Sequence, residues 1–178
     1  NLDAEMTGAV TRLAETLRAL SLELLHVTKI LCVYVNDGRR NEDEVLSLLA
    51  RALPSGVSPA VTAVPVPYLV CEGAQVMIDA YAMARPDGGA IARQVYRPSG
   101  VSPLPGGFAT AVRAGKMIFV SGQSPVSPAG EVMNPGDIVA QTHVVMARVR
   151  AALASMGAGF GDVVKINRWY VGQGTVDD

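Results

Sequence analysis

Residues 27–35 read Val-Thr-Lys-Ile-Leu-Cys-Val-Tyr-Val and residues 163–171 read Val-Val-Lys-Ile-Asn-Arg-Trp-Tyr-Val, matching at Val27/Val163, Lys29/Lys165, Ile30/Ile166, Tyr34/Tyr170 and Val35/Val171. The offset is constant (163 − 27 = 136) and runs upstream without a gap, with Leu17 on Leu153, Leu13 on Val149 and Glu5 on Gln141. A period this long exceeds any solenoid unit, so it signals two copies of a whole domain. A chain of 178 residues cannot contain two complete units of 136. The expectation is therefore the back of one domain (1–85), a linker (86–92) and the front of the next (93–178).

Composition supports a folded chain, with 49% apolar and 17% charged residues. Apolar runs are broken by Pro, Gly or charge before the ~18 residues that a spanning helix needs, which predicts no transmembrane segment. The first residues, Asn-Leu-Asp-Ala-Glu, are acidic and amphipathic and predict no secretory leader in this stretch. Net charge is −1 with the charges interspersed, so no basic stripe exists to neutralise nucleic-acid phosphates. Cys32 and Cys71 both lie in apolar, strand-like runs and read as buried free thiols, consistent with a reducing, cytoplasmic setting.

Met6, Val10, Leu13, Leu17 and Leu20 recur at spacings of three and four, predicting an amphipathic helix over 2–20. A β-branched and aromatic strand follows over 27–35. Asn41 and the acids at 42–44 predict the capped start of a helix that ends at Pro54. Strands are expected over 60–66 and 75–84, and Arg85-Pro-Asp-Gly-Gly-Ala is a cluster of breakers. Beyond it the pattern predicts strands near 94–97, 110–113 and 117–121, a proline-broken loop, a helix from Asp137 to about Met156, and a strand over 163–171. The second half followed by the tail of the first would give one complete unit, β-β-β-α-β-α-β-β, of the α+β class with helices on one face of a sheet.

Particular residues refine this. Gly115-Lys-Met-Ile-Phe-Val-Ser-Gly-Gln123, Gly130-Glu131, Asp137, Gln141-Thr142 and Gly161-Asp-Val-Val-Lys165 occur in the second half; Pro59-Ala-Val-Thr62, Val66-Pro67 and Val76-Met-Ile-Asp-Ala-Tyr-Ala82 occur in the first. In this order and spacing they resemble the reactive-intermediate deaminase family (YjgF/Rid, also described as endoribonuclease L-PSP), in two partial copies. The resemblance implies a chorismate-mutase-like fold in trimers with ligand pockets between subunits. It also implies hydrolysis of enamines and imines such as 2-aminoacrylate to 2-oxo acids and ammonia, without metal or cofactor. In such a site an arginine grips the substrate carboxylate while backbone groups and a carboxylate position water.

Carried over residue by residue, the family's arginine falls on Ser58, which supplies no charge, and its glutamate falls on Asp79. Its tyrosine falls on Phe108, which lacks the hydroxyl, while Ser121 and Gly122 are retained. The resemblance thus implies Asp79 as the catalytic carboxylate and Ser58, Phe108, Ser121 and Gly122 as substrate-binding residues. Each has a plainer reading. Ser121-Gly122 can be a tight strand end, Asp79 a solvated sheet-face residue and Phe108 core packing. Lys29 and Lys165 read as solvated strand-edge charges. No His, Cys or acidic cluster has metal-ligand spacing, no histidine neighbours Ser121 or Ser124 as in a triad, and Gly157–Gly161 precedes a strand rather than a helix, against a dinucleotide loop.

Two functions are expected to compete: an enamine/imine deaminase, and a non-catalytic tandem protein that binds ligand or serves structure. A ribonuclease role lacks both a basic patch and a suitable histidine pair. The expected partners are a small-molecule substrate and either further copies in a trimer-like ring or a complementary chain, with no nucleic acid and no membrane. The expected cleft joins the 105–123 region to the 57–80 region of a neighbouring copy.

Overall fold

The computed structural model describes residues 1–97 and 104–171. The first half places two helices, α1 (Leu2–Ala19) and α2 (Glu42–Ala52), on one face of a three-stranded sheet. Its strands are β1 (Val27–Val35), β2 (Ala60–Val66) and β3 (Val76–Ala82), in the order β2-β1-β3. β1 runs parallel to β2, with Leu31 beside Thr62, and antiparallel to β3, with Leu31 beside Asp79.

Alternation along the strands decides which face meets the helices. Ile30, Cys32 and Tyr34 of β1, Val61 of β2 and Ile78 of β3 join Met6, Val10 and Leu17 of α1 and Val45, Leu46 and Leu49 of α2 in one core. Asn41 caps α2 reciprocally with Glu44: its Oδ1 accepts from the Glu44 amide at 2.9 Å, and Glu44 Oε2 accepts from the Asn41 amide at 3.1 Å. The cap fixes where α2 starts, and hence which side chains reach the sheet. Leu49 is wholly buried; its truncation to Ala costs about 2–5 kcal/mol.

The second half forms its own antiparallel sheet of β4 (Arg93–Tyr96), β5 (Ala111–Ala114) and β6 (Met117–Val120), in that order. Gly115, at φ 58°, turns the β5–β6 hairpin. One sheet face carries Tyr96, Ala111, Ile118 and Val120 and packs on Ala152 and Met156 at the end of α3 (Ile138–Ser155). The opposite face, through Val112 and Phe119, meets Ala60 and Ala109 and so touches the first half. Asp137 caps α3, accepting from the Ala140 amide at 2.9 Å. Arg148 from α3 donates to Ser124 O at 2.6 Å and Val126 O at 2.7 Å, tying down the proline-broken loop.

Three expectations are corrected. Residues 163–171, despite matching β1, form no strand: they are exposed and have no ladder partner among the described residues. A strand needs flanking strands for its amides and carbonyls; β1 has β2 and β3, and 163–171 has neither. Cys71 is exposed in the loop between β2 and β3, whereas Cys32 is buried as expected. The halves also do not merge into one continuous unit; they remain two three-stranded sheets. Among the described residues, no helix is long and apolar enough to cross a membrane.

Candidate functional site

The halves meet along a seam between the start of β2 and the 105–122 segment. Ala60 and Ala109 form a parallel bridge, and the Ala109 amide donates to Pro59 O at 3.3 Å. Ser121 Oγ donates to Ala109 O at 2.5 Å and accepts from the Val61 amide at 2.7 Å. The Gly122 amide donates to Val61 O at 2.8 Å. Gly122 suits this close approach, because a Cβ there would stand 3.1 Å from Thr62 Cγ2. The 105–123 and 57–80 regions, expected to face each other across a cleft between copies, thus touch within one chain along the start of β2.

Four of the five site residues expected from sequence lie along this seam. Ser58, half-buried, donates to Gly107 O at 2.7 Å. Phe108 is buried in the first-half core, so its ring fills packing space. Ser121 is buried with its hydroxyl engaged as donor and acceptor, and Gly122 follows it. Asp79 stands apart. It is exposed on β3, in the row Thr62–Leu31–Asp79, which places it two strand spacings, about 10 Å, from Thr62. Ser58 lies four residues before Thr62, roughly 13 Å along the strand direction. Asp79 and Ser58 of one chain therefore cannot hold one small substrate between them.

Sequence reasoning missed two residues. Arg97, at the end of β4, donates from Nη2 to Ser58 Oγ and to Gly107 O, each at 2.7 Å. It brings a guanidinium into contact with Ser58, the residue on which the family's arginine was expected to fall. No motif marks Arg97; its one signal is a charge ending a strand shortly before the Pro105-Gly106-Gly107 turn. The second is Lys29, which is no solvated edge charge. It lies on the central strand, largely buried, and donates to Thr62 Oγ1 at 2.5 Å and Val120 O at 2.8 Å across the seam. Burial pulls its pKa down to about 8.

Lys165, by contrast, is exposed as expected, donating to the Tyr81 hydroxyl at 2.9 Å. That bond, and the nearby Asp79 carboxylate, hold its pKa above the ordinary lysine value. Tyr81 also packs on Phe119, with ring centroids 5.9 Å apart, so the sheet face bearing Asp79 meets the second half through an aromatic pair. Among the described residues no three His, Cys, Asp or Glu side chains are grouped to hold a metal ion. At the seam a hydroxyl and a backbone carbonyl hold one guanidinium, and that guanidinium is the group suited to an anionic ligand.

Residues 102–173 match the family model described as Endoribonuclease L-PSP. The chain is 49% identical over 57 residues to the protein DfrA of Myxococcus xanthus, covering 32% of this chain and 44% of that protein. It is 42% identical over 67 residues to a RutC family protein of Pyrococcus abyssi (36% and 52% covered). It is also 28% identical over 71 residues to the 3-aminoacrylate deaminase RutC of Acinetobacter baylyi (40% and 56% covered). The chain thus spans about half the length of the curated relatives it matches. A crystal structure of a chorismatase superposes with a TM-score of 0.51 at 19% identity, over 86% of this chain and 50% of that one. That likeness concerns the fold alone, and it extends the shared architecture over both halves. The likeness to the endoribonuclease L-PSP family thus lies in residues 102–173.

Proposed function

We propose that this chain is part of a Rid-type hydrolytic deaminase acting on small enamines or imines of the 2-aminoacrylate kind. The carrying observation is the seam itself: Ser58, Phe108, Ser121 and Gly122, four positions that the family pattern marks for substrate, converge there from two halves of one chain. The reaction needs little from the protein. Water adds to the imine carbon, a proton moves to nitrogen, and ammonia leaves as the carbonyl forms. Fixing the substrate carboxylate and orienting one water supply the acceleration.

In this reading Asp79 orients water at a different seam, one completed by the 105–123 region of a neighbouring copy in a trimer-like ring. The two partial copies, 1–85 and 93–178, then act as consecutive pseudo-subunits joined by 86–92. The substrate is a small molecule, no cofactor takes part, and the setting is cytoplasmic.

A second reading has its own observation. The Ser121 hydroxyl already holds Ala109 O and the Val61 amide, and Phe108 is core. Residues engaged this way can serve only to join the halves, which describes a non-catalytic tandem protein. The deciding measurement is ammonia release from enzymatically generated 2-aminoacrylate, with the chain at micromolar concentration. Acceleration over buffer, lost in Asp79→Asn, supports the deaminase. A rate equal to buffer leaves the non-catalytic reading.

A further inference from the structure

We infer that Arg97 is the anion-holding residue of the seam, positioned by Ser58 and Gly107 to receive the carboxylate of a small organic acid. This rests on the seam being a ligand site, as proposed above. Arg97 Nη2 is held by two bonds of 2.7 Å, to Ser58 Oγ and Gly107 O, and Ser58 Oγ itself donates to Gly107 O at 2.7 Å. The three groups close a triangle joining the lead-in of β2, the end of β4 and the Pro105–Gly107 turn.

A surface arginine is ordinarily a solvated, freely rotating charge. Here two anchors fix the guanidinium plane before any ligand arrives, which removes much of the ordering cost of binding. The residue is exposed and makes no ion pair with any described carboxylate, so its charge is not neutralised from within the described chain. Nη1 and Nε make no hydrogen bond with described residues, so three donor protons are not engaged by them. Beside the guanidinium, Gly107 has φ 74°, and a Cβ built there meets nothing within 4 Å. Among the described residues, nothing fills the space next to Gly107.

A carboxylate gains a charge-assisted bond here, whereas its neutral ester gains only an ordinary one. The serine that replaces the family's arginine thus becomes the bracket for an arginine delivered by the other half. The charge belongs to the junction and not to either copy.

The test titrates the full chain with pyruvate, a small 2-oxo carboxylate, and with methyl pyruvate as its uncharged counterpart. The Nε–Hε resonance of Arg97, assigned by its loss in Arg97→Gln, is followed in the wild-type chain by NMR. Pyruvate is expected to move that resonance. Arg97→Gln is expected to weaken pyruvate about ten- to a hundredfold while leaving methyl pyruvate unchanged. Arg97→Lys, which keeps the charge and loses the anchored plane, is expected to fall between.

Equal pyruvate affinity in wild type and Arg97→Gln overturns the inference, as does an Arg97 resonance that does not move at saturating pyruvate, or no binding at all. If the variants fail to fold, the Arg97 resonance is assigned by triple-resonance NMR of the wild-type chain and decides the matter alone. Ammonia release reports separately. Activity without any Arg97 effect on binding removes this inference alone, and Arg97-dependent binding without activity removes the deaminase reading alone.

Discussion

Lys29 provides the most direct quantitative check on how the two halves are joined. Its ammonium sits at the seam, donating to Thr62 Oγ1 and Val120 O, and burial lowers its pKa from 10.5 to about 8. In the unfolded chain the same amine titrates near its ordinary value. Between those two values the unfolded state holds more protons than the folded one, so this group makes stability rise with pH. The full shift corresponds to about 3 kcal/mol, withheld below pH 8 and recovered by about pH 10.5. From about pH 7.5 to about 9 the linkage relation gives a gain of about 1 kcal/mol.

Lys29→Met keeps the apolar stem and abolishes the titration. At neutral pH its net effect is small, since relief of a buried charge is offset by leaving Val120 O unpaired, at about 1–3 kcal/mol. The informative quantity is therefore the change with pH. Cys32 works in the opposite direction: its pKa is raised to about 12 by burial, so its contribution is lost as pH rises above 9. That term is common to both proteins and cancels in the comparison. Urea unfolding followed by circular dichroism at both pH values should show the wild type gaining about 1 kcal/mol relative to Lys29→Met. Equal pH slopes would refute the placement of Lys29 in a desolvated seam.

Two further predictions address the seam and the turn beside it. Ser121→Ala leaves Ala109 O and the Val61 amide without their partner, which costs about 2–5 kcal/mol in all and lowers the urea midpoint; a loss below 0.5 kcal/mol would show that the hydroxyl does not clamp the halves. Gly106 and Gly107 separate strain from clash: both have positive φ, but a Cβ on Gly106 would stand 2.1 Å from Ala50 Cβ, while one on Gly107 meets nothing. Gly107→Ala should cost about 1–2 kcal/mol and Gly106→Ala clearly more, and equal thermal midpoints for the two variants would contradict the packing of this turn on α2.

Much of the fold was legible where local chemistry and tertiary demand agree. Strands 27–35 and 60–66 and the Asn41 cap of α2 appear as the patterns predict, because alternation and capping act over a few residues. What failed depended on neighbours that periodicity does not encode. Lys29 opens a strand and reads as an edge charge, yet β1 lies between β2 and β3, so the amine has nowhere to go but the seam. Residues 163–171 carry a side-chain pattern like that of β1 but find no flanking strands among the described residues, and Val164, Ile166, Trp169 and Val171 are exposed. In the candidate site, the motif positions Ser58, Ser121 and Gly122 could be named from sequence. Arg97 could not, since its contact with Ser58 and Gly107 follows from where a strand end lands in space.

The repeat acquires a physical meaning from this contrast. Two stretches with matching side chains need not make two equal structures; what β1 gains from β2 and β3, residues 163–171 do not find among the described residues. The halves instead join through sheet ends: one parallel bridge at Ala60 and Ala109, one shared hydroxyl at Ser121 and one buried ammonium at Lys29. The junction joins apolar contacts, Phe108 in the first-half core and Ala60 against Val112 and Phe119, to polar groups that each need a partner. It also leaves a charge, Arg97, beside Gly107, where no described residue fills the space. Where the two sheets end against each other, the chain places the guanidinium proposed above to hold a small anion.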